Sequence, residues 1–259
     1  SISGPDESRE EAGSRKKEKA GWEGNVSPFS ALATSLAATI GTGNIIGIST
    51  AVAIGGPGAV FWCWITGVLG IATCYAECYL SVRFRVKQED GTFRGGPMYV
   101  MEHVLHQKSA AVVFAFSVIL VSLGMGSSVQ SHSITAAVLE QKAISPQVIG
   151  IAAAALTGVV IVGGAGQIAK ICTWLVPFMS IFYLGGCFLL IWLNRGVLPD
   201  TLLVILRSAF SSRSVIGGAA GTAVMTGMRA GISRGLFTNE AGLGSIPMAA
   251  AAARTGSPR

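Results

Sequence analysis

From Pro28 onward the chain alternates between long apolar runs and short polar or glycine-rich interruptions. A membrane-spanning helix needs about 20 mostly apolar residues, and several of these runs reach that length. The pattern predicts a first span over residues 29–54, interrupted by glycines in its middle, then a tight turn at Gly55-Gly56-Pro57-Gly58. A second span covers 59–82. The polar stretch 83–108 follows, with a short amphipathic helix over 98–105. Residues 110–139 form a third span, 147–162 a short fourth and 168–193 a fifth. Residues 198–212 read as an interfacial helix, with Arg207 and Arg213 available to headgroups. A sixth, glycine-rich element begins at Val215.

Residues 1–27 break this pattern, with five Lys/Arg, six Asp/Glu and almost no apolar side chains. They read as a solvated polar tail on the cytoplasmic side, leaving 28–259 as the transmembrane domain. No apolar core follows a short basic start, so the tail is not a signal peptide. Hydrophobic residues make up 51% of the chain and charged residues 12%, against about 25% charged in soluble domains. With a mean hydropathy of +0.58, the class is an all-α integral membrane protein.

Charge then sets orientation. If spans alternate, the tail, 83–108, Lys170 and the region after Met228 share one side with fifteen basic residues, against four (Lys142, Arg195, Arg207, Arg213) on the other. The heavier side is expected in the cytoplasm. A net charge of +6 does not imply nucleic acid, because the basic residues sit between apolar runs rather than on one face. The five cysteines all lie inside apolar runs, and Cys74 and Cys78 have no second thiol or imidazole pair to complete a zinc site.

The centre of the first span carries the chemistry. As one straight helix it would run about 39 Å, longer than the roughly 30 Å hydrocarbon core. Its middle reads Ala38-Thr39-Ile40-Gly41-Thr42-Gly43-Asn44, and two glycines around a β-branched threonine make it easy to open. Opening it at membrane depth frees backbone groups, which cost several kcal/mol each unless a cavity or ligand satisfies them. Freed amides near Gly43 and Asn44 suit a carboxylate, and freed carbonyls such as those of Ala37 and Ile40 suit a hard cation. The same glycines would also suit tight helix packing. A dinucleotide loop does not fit Gly41-x-Gly43-x-x-x-Gly47, because the acidic residue expected about 20 positions on is absent and residues 61–65 are Phe-Trp-Cys-Trp-Ile. A second interrupted helix is expected at Gly217–Gly221 and Gly227–Gly231, five spans after the first, and that relation favours the site over packing.

Other residues are read more plainly. Glu77 is expected to reach the interface or pair near Arg83. His132 suits a helix-to-helix hydrogen bond better than a proton-sensitive role. His103 and His106 carry no metal reading. Arg229, Arg234 and Glu240 mark the second interrupted region, as gating groups or as helix-end anchors. Trp62, Trp64 and Trp192 read as interfacial belt residues. No nucleophile–base pair sits at membrane depth, so enzyme chemistry is not expected, and no charge ring or filter motif suggests a channel.

Four runs carry a resemblance: GTGNIIGISTAVAIGGPGAVFWCW (41–64), EDGTFRGGPMYVMEHVL (89–105), GGAGQIAKICTWLVPFM (163–179) and SRGLFTNEAGLGSIPMAAAAARTGSP (233–258). With nearly everything after Pro28, they resemble the alanine/glycine:sodium symporter family. The resemblance implies a LeuT-type inverted-repeat transporter core, here the first five-helix repeat and the start of the second, with broken first and sixth core helices. It implies sodium-coupled symport of small neutral amino acids by alternating access at the plasma membrane, with no cofactor beyond the co-transported sodium ion. Carried over residue by residue, Gly41, Thr42, Gly43, Asn44 and Gln130 would bind substrate, and the Ala37 and Ile40 carbonyls would contribute to the sodium site. Ser128 or its neighbour and His132 stand where asparagines are usual. Family members carry about twice as many spans, so the chain reads as a fragment; the alternative is a truncated, transport-incompetent homologue acting as a structural partner.

Overall fold

The computed structural model describes residues 24–141, 144–210 and 220–255. Residues 1–23, Lys142, Arg213 and the Gly217–Ala219 part of the expected second interruption lie outside them. The architecture is helical, with one two-stranded hairpin (β1, Val86–Lys87; β2, Phe93–Arg94) paired antiparallel in the polar stretch, where no strand was expected.

The first span is two helices, α1 (Pro28–Thr39) and α2 (Ile48–Gly55), with a π-helical turn (Gly43–Gly47) leading into α2. Ser27 caps α1 by accepting the Ser30 amide at 3.1 Å, and Pro28 opens its first turn. Together the two halves bend by 41° at the break. The next span, α3 (Gly58–Arg83), follows the Gly56 turn. Beyond the hairpin lies α4 (Pro97–His103), then a long helix built from α5 (Lys108–Val121), a π-helical segment (Ser122–Ser128) and α6 (Val129–Gln141). α7 (Pro146–Val162), α8 (Gly164–Leu193) and α9 (Leu198–Phe210) come next, and α10 (Ala220–Asn239) and α11 (Ser245–Ala251) complete the described chain.

By length and apolar composition, Gly58–Arg83, Lys108–Gln141 and Gly164–Leu193 can each cross a membrane, and the bent α1–α2 pair makes a fourth candidate. α7 is shorter at 17 residues, and α10, which carries Arg229 and Arg234, is not among the candidates. Side-chain exposure agrees with a lipid surroundings. Trp174 is 84% and Phe182 78% exposed, whereas the buried apolar positions are mostly alanines such as Ala31, Ala51, Ala59 and Ala251. Small residues inside and large apolar ones outside is how helices pack in lipid.

α3 is the spine of the molecule, with α2, α9, α10 and α11 packed on it. Its contacts with α10 and α11 run down one seam. The Cys63 thiol donates to the Gly231 carbonyl at 3.1 Å, Thr66 fills the space over Gly235, and Gly70 faces Asn239. Lower down, the Gly242 amide donates to Glu77 Oε2 at 3.2 Å, and the buried Ser81 hydroxyl donates to the Pro247 carbonyl at 2.7 Å. Glu77 therefore holds the loop that carries Gly242, a structural role. Arg83 donates instead to the Tyr79 hydroxyl at 3.2 Å.

Trp62 also departs from its expected belt role. Its indole N–H donates to the Ala209 carbonyl at 3.4 Å and its ring meets Phe210 edge-on, fastening α9 to α3. His132 is exposed on α6 with no hydrogen bond among the described residues.

The expected tail does not run free to residue 27. Asn25 and Val26 donate their amides to the Ala252 carbonyl at 2.8 and 3.1 Å, and Arg254 returns its amide to Val26 at 2.8 Å. The Asn25 side chain closes on both backbone groups of Phe93, at 2.9 and 2.7 Å. Residues 24–27 thus belong to the folded part, because their polar backbone is consumed by the chain end beyond α11 and by the hairpin.

Candidate functional site

The first interruption sits where two glycines and a threonine weaken the helix. α1 stops at Thr39, Ile40 turns to an extended conformation (φ −90°, ψ 92°), and its amide donates to the Leu36 carbonyl at 2.7 Å. Among the described residues, no amide beyond the helix end donates to the Ala37 carbonyl. A Cβ on Gly41 would lie 2.7 Å from Gln130 Nε2, so a larger residue there would have to push the Gln130 amide aside. Gln130, on α6, reaches across to this point. Its Oε1 accepts the Thr42 hydroxyl at 2.8 Å and the Thr42 amide at 3.4 Å. A Cβ on Gly43 would stand 2.7 Å from the Phe237 ring of α10. The Asn44 amide donates to the Gly41 carbonyl at 3.1 Å, while Asn44 Oδ1 is buried with no hydrogen-bond partner.

A second interruption lies between α10 and α11, and its place corrects the sequence reading. Gly227 and Gly231 lie inside the continuous α10, where they let it approach Gly55 and Ala59 closely. At those two positions the packing reading is the right one. The helix opens instead at Glu240 (φ 50°), Gly242 (φ 90°) and Gly244 (φ 82°). Positive φ suits glycine and is unusual for a glutamate. The loop is held by the Leu243 amide donating to the Glu240 carbonyl at 3.1 Å, by the Gly242–Glu77 contact, and by the Ser245 hydroxyl donating to Glu240 Oε2 at 2.6 Å.

The third irregularity is the π-helical segment Ser122–Ser128 between α5 and α6. Ser127 and Ser128 donate to the Leu123 carbonyl at 3.1 and 2.9 Å. Such wide turns are frequent at functional sites.

All three irregularities meet at one cavity of about 240 Å³. From the first break it is lined by Gly41, Gly43 and Asn44, and from α6 by Gln130. Phe114, Val118 and Val121 of α5 form an apolar wall that Ser117 joins, and Phe237, Thr238, Glu240 and Ser245 come from the second break. Of the residues expected at the site, four therefore line the cavity directly. Thr42 joins it through Gln130, and Ala37 and Ile40 lie outside its lining, on the α1 side of the break. Glu240 was named as a marker of the second interrupted region, but the α5 wall and the rest of the 240–245 loop were missed as site elements. Asn239-Glu240-Ala241-Gly242-Leu243-Gly244 carries a turn signal, paired glycines after an asparagine, which the denser glycines at 217–231 outweighed.

The volume is below the roughly 300–1,000 Å³ of pockets for drug-sized ligands. The site suits a small molecule with polar ends, met by backbone and hydroxyl groups on one side and by a carboxylate on another.

Comparison with known proteins puts this arrangement in a family. Residues 9–259 match the model of the sodium:alanine symporter family. An uncharacterized transporter of Haemophilus influenzae is 47% identical over 94% of this chain and 53% of its own length. The sodium/alanine symporter AgcS of Methanococcus maripaludis is 43% identical over 91% of this chain and 52% of its own. The probable sodium/glutamine symporter GlnT of Bacillus subtilis is 40% identical over 96% of this chain and 50% of its own. The chain spans about half the length of these relatives, and it belongs to the sodium:alanine symporter family.

Proposed function

We propose that this chain binds a small neutral amino acid, alanine or glycine, together with sodium, as part of a sodium-coupled symporter working by alternating access in the plasma membrane. The observation that carries this is the convergence of two helix breaks and a π-helical segment on one small cavity. Breaking a helix at membrane depth costs several kcal/mol per unsatisfied backbone group, and three irregularities at one point are best accounted for by a ligand that repays them. The substrate carboxylate meets the Gly43 amide at the start of the second half-helix, where the helix dipole favours negative charge, beside Asn44, whose own amide is held by the Gly41 carbonyl. Gln130 fixes Thr42 and so the shape of the turn. Sodium sits on the α1 side, at the carbonyls of Ala37 and Ile40. A relative named as a sodium/alanine symporter supports alanine, and the cavity of about 240 Å³ with its Phe114 and Phe237 walls supports a small neutral amino acid. Two interrupted helices in one chain also support a LeuT-type inverted-repeat core, in which one bundle rocks against the other around the site.

The test is uptake of radiolabelled alanine by the protein reconstituted in liposomes. An inward sodium gradient is expected to drive accumulation, and replacing sodium by choline is expected to abolish it. Equal uptake in both conditions would overturn the coupling.

A further inference from the structure

Glu240 is the one ionisable side chain in the described lining of the cavity. We infer that its carboxylate receives the ammonium group of the substrate, so that an amino-acid zwitterion bridges the two helix breaks. The inference rests on the symport reading and adds to it the recognition of the second charged end.

Three observations carry it. First, the carboxylate is held in place but left incomplete. Ser245 donates to Oε2 at 2.6 Å, a carboxylate has about four acceptor sites, and no basic side chain pairs with Glu240 among the described residues. Arg229 and Arg234, on α10, line a neighbouring open cleft that shares Phe237, Gly242 and Leu243 with the cavity. Second, Asn44 and Thr238 line the same cavity, and their Oδ1 and Oγ1 atoms are buried without hydrogen-bond partners among the described residues. Unpaired buried oxygens are costly, and both can accept beside Glu240, the Thr238 hydroxyl being able to donate as well. A primary ammonium brings three donors and no acceptor. Third, Glu240 holds a φ of 50°, where glycine would sit without strain. A glutamate kept at such a position at a cavity wall points to use of its side chain.

Charge balance agrees. An ionised Glu240, one sodium ion and a zwitterion sum to zero, the least costly load to enclose at membrane depth. Glu240 thus faces the ammonium while the Gly43 amide faces the carboxylate.

The test compares radiolabelled alanine with radiolabelled lactate, which keeps the carboxylate and the three-carbon frame but lacks the ammonium. Both are measured on the purified full chain at saturating sodium. Glu240→Gln is expected to weaken alanine at least about tenfold, the loss of a charge-assisted hydrogen bond, while lactate binding stays level or improves. The alanine-to-lactate preference therefore collapses. Ser245→Ala, which leaves the carboxylate, is expected to retain most of that preference. Because the readout is a ratio on each protein, a partial loss of active protein does not imitate it. Alanine affinity unchanged in Glu240→Gln would overturn the inference. So would an equal fall for both ligands, which would make Glu240 a loop-holding residue only. If the unmutated chain binds no alanine in sodium, the symport reading itself fails, and this inference with it.

Discussion

At Gly43 a single hydrogen atom decides whether two helices can meet. A Cβ there would press on the Phe237 ring at 2.7 Å, so Gly43→Ala must displace the ring, at a cost of about 1–3 kcal/mol for overpacking. Alanine affinity is expected to fall by roughly 5- to 100-fold, read by equilibrium binding. Gly43→Leu cannot be absorbed by a ring shift and is expected to abolish binding while leaving membrane insertion intact; normal binding by that variant would restore a packing role for this glycine. Gln130→Leu removes the acceptor of the Thr42 hydroxyl at 2.8 Å. A loss of about 1 kcal/mol per hydrogen bond predicts roughly fivefold weaker alanine binding with little change in thermal stability.

Among the elements, the loop–helix unit around α11 is fixed from outside. Arg85 donates to the carbonyls of Ala251, Ala253 and Thr255 at 3.2, 2.7 and 3.0 Å, closing the end of α11 that the helix itself leaves unpaired. Arg85→Ala is expected to cost about 1.5–3 kcal/mol, the range for hydrogen bonds to charged groups. It would appear as a lower unfolding temperature and earlier proteolysis near Arg254. In the hairpin, Asp90 accepts from the Thr92 hydroxyl at 2.6 Å and from its amide at 2.9 Å. These bonds hold its carboxyl below the usual aspartate value, with a smaller contribution from Arg94. A depressed folded-state pKa gives the turn support that is complete above the ordinary aspartate pKa and is lost as pH falls through the lower folded value. The Thr92 amide shift is expected to titrate with that lowered midpoint, and Asp90→Asn to flatten it.

The elements also show what the sequence makes legible. Apolar runs and their punctuation place α3, α7 and α8 within a few residues, because span length and turn chemistry are local properties. The first break is legible too, since Gly41 and Gly43 weaken the helix where they stand. The second is not. Glycines serve close packing as readily as opening, and only three-dimensional proximity separates Gly227 and Gly231, against Gly55 and Ala59, from Gly242 and Gly244 at the turn. The π-helical segment is likewise hidden, because a shift of one residue in hydrogen-bond register leaves no mark in hydrophobic pattern. The partners of Glu77 and Trp62 were hidden for a related reason: Gly242 and Ala209 lie 165 and 147 residues away.

On the scale of the molecule, a rigid spine supports two weak points. α3 carries the second broken helix along its whole seam, and α8 backs the first, where Thr173 donates to Ser30 Oγ at 2.9 Å. The breaks are thus held open by packed neighbours rather than left to chance, and the cavity between them is the natural place for coupled binding. Sodium and amino acid at adjacent ends of one broken helix should each favour the other, and by linkage the coupling is reciprocal. The most direct test is alanine binding to the purified protein as sodium is titrated against choline at constant ionic strength. Half-saturating alanine is expected to fall steadily as sodium rises, with Gly43→Leu showing no binding at any sodium concentration. Alanine binding that is indifferent to sodium, or that survives Gly43→Leu, would contradict the account.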